Sequence, residues 1–161
     1  MFVTVAHEIA DESGLVLLED QDIVYRDAPR AGETAPAGEP APAPAAWSRD
    51  LHADPVLLLR YSALTFNGHR IHYDRGYATG QEGYPGLVVH GPLLATLLLD
   101  LLRSNLSDVH VKGFTFRAVK PTFDTAPIAI CGAHGAGNGT VDLWVRLADG
   151  TLAMKAAAEV A

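Results

Sequence analysis

The chain has 161 residues with 48% apolar and 19% charged side chains, which predicts one domain with a real core and argues against disorder. Its formal net charge of −7 argues against a nucleic-acid footprint. A single cysteine, Cys131, leaves no disulfide framework and no paired-cysteine zinc or redox site, and it reads as a small buried apolar residue.

In chain order, Phe2 to Ile9 alternates apolar and polar residues, Asp11-Glu-Ser-Gly14 is a turn cluster, and Leu15 to Tyr25 resumes the alternation. Residues 1–27 therefore predict a β-hairpin, which alone is marginal in water and calls for a partner. No apolar leader core stands at this end, so no signal peptide is expected and the chain is expected to be cytoplasmic. Residues 28–46 hold five of the ten prolines among Ala and Gly, and predict an extended, mobile linker.

Residues 47–161 form the predicted folded body. Asp54-Pro55 opens an apolar run, Val56 to Tyr61, that predicts a buried strand. Residues 62–90 read as a loop with short helical turns. Gly91-Pro92 opens a helix over Leu93–Ser104, apolar nearly all round and hence expected to be buried. Its apolar stretch, Leu93 to Leu102, is about half of what a membrane span needs. Four strands follow, at Val109–Val119, Pro127–Ala133, Thr140–Leu147 and Thr151–Val160, separated by turns rich in Gly and Asp. The class is α+β: a curved antiparallel sheet wrapped round one long helix.

Chemistry-bearing side chains concentrate between Thr65 and Gly91, where three of the seven histidines stand. Histidine exchanges protons near neutral pH, and a long loop rich in such residues within a small domain reads as functional. His69 and His72, with Asp74 and Glu82, match no zinc signature in spacing, so no metal is expected. Tyr73, Tyr77 and Tyr84 are expected to pack around the loop.

Tyr61-Ser-Ala-Leu-Thr65, Asn67 and Ile71-His72-Tyr-Asp74 resemble the motif Y-S-x-L-T-G-D-x-N-P-I-H-x-D of MaoC-like hot-dog-fold hydratases and dehydratases. Val88-Val-His-Gly-Pro-Leu-Leu94 is similar to the A-H-G-M-L that begins that family's central helix, and Phe116-Arg117 with Pro121 to its F-R-x-x-x-P strand. Thr65 to Asp74 closely resembles the variant motif of mitochondrial-type hydroxyacyl-thioester dehydratases and mesaconyl-C4-CoA or itaconyl-CoA hydratases. The resemblance implies a hot-dog fold and an (R)-specific hydro-lyase that adds or removes water at the α,β double bond of an acyl thioester, with no cofactor. Alternatives on the same fold are a non-catalytic acyl-thioester-binding subunit and a thioesterase.

The resemblance places His72 as the acid/base. Asn67 stands where the common motif has Asp; it has no titratable proton near neutral pH, so it positions water or substrate instead. Asp74 and His69 are expected to orient His72 or to order the loop. The Gly91 N–H at the helix start is expected to hold the thioester oxygen. His90 is expected to cap the helix entry or line the site, and Arg117 to meet CoA phosphates. Residues 1–27 are similar to the last two strands of a first hot-dog half, tethered by the linker. The implied partners are an acyl-CoA or acyl-carrier thioester and further subunits, as a homo-oligomer or a heteromer with a second hot-dog protein.

Overall fold

A computed structural model describes residues 1–25 and 38–161. The chain divides into two units, Met1–Pro36 and Ala37–Ala161.

In the first unit, β1 (Phe2–Asp11) and β2 (Gly14–Val24) form an antiparallel hairpin, with Phe2 opposite Val24 and Asp11 opposite Gly14. The predicted turn holds because the Asp11 carboxylate accepts from the Ser13 N–H at 2.7 Å and the Ser13 hydroxyl at 2.6 Å. Gly14 follows at φ +115°, which a side chain would resist. Within this unit Phe2, Ile9, Leu17 and Leu18 remain exposed.

The second unit runs β3 (Trp47–Leu51), α1 (Pro55–Leu64), a 3-10 turn (Arg70–His72), α2 (Arg75–Gly80), α3 (Gly91–Asn105), then β4 (Val111–Ala118), β5 (Ile128–His134), β6 (Thr140–Leu147) and β7 (Leu152–Val160). The five strands from β3 to β7 form one antiparallel sheet in the order β3-β5-β6-β7-β4. Period-two alternation turns Val141, Leu143 and Val145 of β6 toward the helix, and Thr140, Asp142 and Arg146 away from it. With Ile130 and Met154 from the neighbouring strands they pack on Leu94, Leu98 and Leu102 of α3. Each fully buried side chain of this size stabilises the fold by about 1.5–3 kcal/mol. The expected sheet around one helix is present, and the four predicted strands fall at β4 to β7.

Local expectations differ at four places. Val56 to Tyr61 is helix, not strand: the Asp54 carboxylate caps α1, accepting from the N–H groups of Val56 at 2.8 Å and Leu57 at 2.9 Å, and Pro55 occupies the first turn. Of this run Leu58 is buried, whereas Val56 and Leu59 are exposed. Helix α3 is not buried all round, because Thr96, Asp100 and Arg103 face outward and Asp100 pairs with Arg49 of β3 at 2.8 Å. Strand β3 lies where none was predicted.

The fourth difference is the linker. Residues 28–37 lie outside the described residues, but residues 38–46 lie along the sheet. The Ala41 N–H donates to the Gly150 carbonyl at 3.0 Å, the Leu152 N–H to the Glu39 carbonyl at 2.7 Å, and the Ala46 N–H to the Gly132 carbonyl at 2.9 Å. Ala41 and Ala45 pack with Trp144 and Leu152 on the face away from α3, because small side chains let the backbone approach that face. Cys131 is buried in the same cluster. Among the described residues no helix is long and apolar enough to cross a membrane.

Candidate active site

The site begins at the C-terminal end of α1. There the Thr65 hydroxyl donates to the Tyr61 carbonyl at 2.7 Å, and the chain turns through Phe66 at φ +54°, a conformation strained for a bulky residue. The Asn67 N–H donates to the Ser62 carbonyl at 2.9 Å. The Asn67 amide oxygen accepts from the His69 N–H at 3.0 Å. Its NH₂ group has no acceptor among the described residues.

The 3-10 turn then delivers His72, which is 8% exposed. Its Nδ1–H donates to the Val88 carbonyl at 2.7 Å, which leaves the Nε2 lone pair as the basic position of the neutral ring. Burial pushes the His72 pKa down; the Val88 hydrogen bond opposes this, and His69 lowers it further. The His69 ring meets His72 edge-on at 5.7 Å.

Val88 is held from both sides. The Val88 N–H donates to the Ile71 carbonyl at 3.0 Å, and the Val89 N–H to the Thr122 carbonyl at 2.8 Å. Asp124 anchors the segment: its carboxylate accepts from the Leu87 N–H at 2.9 Å and pairs with the Arg75 guanidinium, while its own N–H donates to the Leu87 carbonyl at 3.0 Å. Gly86 permits this approach, since a Cβ there would lie 2.5 Å from an Asp124 carboxylate oxygen.

The segment feeds His90 and Gly91 into the start of α3. His90 is 1% exposed, and its ring stacks on His72 with centroids 3.7 Å apart and 16° between the planes. The His90 Nε2 shares a hydrogen bond with the Ser62 hydroxyl at 2.8 Å, and Tyr61 meets the ring edge-on at 4.9 Å. Burial, then the nearness of His72, lowers the His90 pKa from 6.5 to about 4. His90 is the N-cap residue of α3 but makes no side-chain capping bond. Gly91 is the first helical residue and Pro92 carries no N–H, so the Gly91 and Leu93 amides are the donors of this turn. A cleft of about 320 Å³ adjoins Gly91 and Val88 and is walled by Leu94, Ala118, Pro121 and Met154.

The structure thus groups His72, His69, His90 and Gly91 with the Asn67 loop. Two further residues of the expected site, Asp74 and Arg117, make no hydrogen bond with this group. One Asp74 carboxylate oxygen caps α2 by accepting from the Tyr77 N–H at 3.0 Å, and the other accepts from the Arg70 guanidinium at 2.7 Å. The Tyr77 amide, then Arg70, hold the Asp74 carboxyl below its ordinary pKa. Asp74 orders the loop and makes no hydrogen bond to His72. Arg117 stands opposite Lys155 in the register, on the sheet face away from α3, because Met154 and Ala156 on either side of Lys155 face the core. Among the described residues no group of three metal-ligating side chains forms. Ser62, the Val88 carbonyl and Asp124 were not singled out by sequence; Ser62 could have been, since it follows Tyr61 in the motif.

An antiparallel sheet curved over one helix, with a buried histidine at the start of that helix, defines a hot-dog-fold protein. The chain belongs to the hydroxyacyl-thioester dehydratase type 2 family, whose model matches residues 1–124. It is 46% identical over 162 residues to the mesaconyl-C(4)-CoA hydratase of Chloroflexus aurantiacus, an alignment covering 99% of this chain and 56% of that protein. The chain therefore spans just over half the length of that relative. Among solved structures it is similar to HtdX from Mycobacterium tuberculosis, with TM-score 0.71 and 21% identity over 98% of this chain and 61% of that one. It is also similar to the (R)-hydratase from A. caviae involved in PHA biosynthesis, with TM-score 0.61 and 20% identity over 80% of this chain and 98% of that one.

Proposed function

We propose that this chain provides the reaction centre of an (R)-specific hydro-lyase acting on an acyl-CoA or acyl-carrier thioester, in either direction across the α,β double bond. The observation that carries the reading is His72: its ring is buried, its Nδ1–H is committed to the Val88 carbonyl, and its Nε2 is left as a base close to the start of α3. In hydration, Nε2 takes a proton from water as the water oxygen bonds to the β carbon. The π electrons move onto the thioester oxygen, which the Gly91 N–H receives at the positive end of the helix. The imidazolium then returns its proton to the α carbon, which restores the carbonyl and the neutral base. Dehydration is the reverse. The Asn67 NH₂ group orients the water by donating to its oxygen.

Two features support an assembled protein, either a homo-oligomer or a heteromer with a second hot-dog subunit. The five-stranded sheet ends in open strands at β3 and β4. The hairpin exposes large apolar side chains within its own unit. The single buried thiol fits a reducing, cytoplasmic setting.

The test follows the loss of enoyl-thioester absorbance with crotonyl-CoA and mesaconyl-CoA, with and without a candidate partner subunit. Water addition that His72→Ala abolishes is the expected result. Release of free thiol instead identifies a thioesterase and overturns the proposal.

A further inference from the structure

We infer that Ser62 and His90 are positioning residues that hold the His72 imidazole, a role that rests on the reading of His72 as the base. Two contacts restrain the ring of His72. One hydrogen bond, from Nδ1–H to the Val88 carbonyl, fixes one atom and leaves the ring plane free to swing about that contact. The second restraint is the face of His90, parallel to within 16° at 3.7 Å.

A stack restrains its neighbour only if it is itself held. His90 is: Ser62 on α1 bonds its Nε2 at 2.8 Å, Tyr61 closes its edge, and its backbone is fixed as the cap of α3, where its carbonyl accepts from the Leu94 N–H at 3.2 Å. Three elements, α1, the 3-10 turn and α3, thus converge on two rings.

The protonation pattern follows from the same geometry. The His90 Nδ1 is buried without a hydrogen-bond partner. It belongs to the cap residue of α3, where the free N–H groups of the first turn make the field positive. A lone pair suits that field and a proton does not, so the proton sits on Nε2 and is donated to the Ser62 hydroxyl. A second positive charge on His90, 3.7 Å from His72, is disfavoured by the neighbouring ring as well as by burial.

Among the described residues no carboxylate offsets this. The groups facing the pair are Ser62 and Tyr61 from α1, His69 from the loop and the Val88 carbonyl; the first turn of α3 carries no acid, Asp74 is committed to Arg70 and the Tyr77 amide, and Asp124 to Arg75 and the Leu87 amide. His90 therefore stays neutral beneath His72 through the range where His72 exchanges its proton. In the usual pairing a histidine base is oriented by a carboxylate that also raises its basicity. Here a backbone carbonyl and a neutral aromatic clamp orient it and leave it a weaker base.

The experiment is nitrogen-15 NMR of the histidine rings in the full chain, for wild type, Ser62→Ala and His90→Phe, with pH profiles of kcat/KM measured alongside. Wild type is expected to show His72 as a single Nδ1–H tautomer that titrates below 6.5, and His90 as the Nε2–H tautomer. Ser62→Ala is expected to mix the His90 tautomers and move the His72 titration upward toward its ordinary value, with kcat reduced about 10- to 100-fold at nearly constant KM. His90→Phe keeps an aromatic face but loses the Ser62 anchor, and is expected to give a smaller change in the same direction. An unchanged His72 tautomer and titration in both variants, with thermal unfolding still cooperative, would overturn the role. The NMR arm reads the clamp even if wild type fails to hydrate any thioester, so failure of the inference and failure of the proposed function are told apart.

Discussion

Replacing Asp124 by Ala is expected to damage both the stability of the second unit and the geometry at His72. The Asp124 side chain is 1% exposed, whereas its partner Arg75 is 51% exposed. The arginine therefore re-enters water when the carboxylate is removed, and the lost ion pair costs only about 0.5–1 kcal/mol. The larger cost falls on the Leu87 N–H, which loses its 2.9 Å acceptor in a buried position, a penalty of about 1–3 kcal/mol. Together these give about 1.5–4 kcal/mol, or a Tm lowered by about 5–16 °C for a unit of this size. Asp124→Asn keeps an oxygen acceptor for Leu87 and loses only the charge, so it should cost less than half as much. Chemical denaturation of the three proteins at neutral pH gives the free energies directly. Because Leu87 leads into Val88, the Ala variant should also lose the single tautomer of His72. A Tm within about 2 °C of wild type for Asp124→Ala, or equal losses for Asn and Ala, would refute the assignment of Asp124 as the anchor of this segment.

Three further outcomes follow. The folded-state pKa of His90 lies near 4 against 6.5 unfolded, so between these values the unfolded chain binds more protons; stability is complete above pH 6.5 and falls as pH drops toward 4, by up to about 3 kcal/mol, and urea unfolding of His90→Phe should show a flatter pH dependence than wild type. Leu98, fully buried between α3 and the sheet, should cost about 2.7–5 kcal/mol as Leu98→Ala in the same denaturation assay. Asp54→Ala removes both capping bonds of α1 and should cost about 1 kcal/mol by thermal unfolding, with little effect on the His72 tautomer.

The strands from β4 to β7 were legible because their alternation is strict and their turns carry the residues that turns need, such as Gly139 and Gly150 at positive φ. The α1 segment was misread because a short apolar run carries no period; the deciding signal was Asp54-Pro55, a helix start. The strap at residues 38–46 left little trace, since it binds through backbone groups and the close packing of Ala41 and Ala45 on Trp144, and β3 is only five residues long. The same holds within the site. His72, His90 and Gly91 could be placed from their motif, but the partner of His72 is a carbonyl oxygen, which no side chain announces. Asp74, the acid nearest to it in sequence, caps α2 and pairs with Arg70, so the partner that orients His72 could not be chosen from the local pattern. Asp124 reaches the site from 37 positions beyond Leu87, a contact set by the fold and not by local pattern.

The central claim is that His72 exchanges the proton of the added or removed water. Its most direct measurement is the hydration rate of enoyl thioesters by His72→Ala against wild type, with cooperative unfolding checked in both and the partner subunit present if wild type requires one. The expected result is a loss of about 100-fold or more in kcat with a retained fold. Activity within a few-fold of wild type would contradict it.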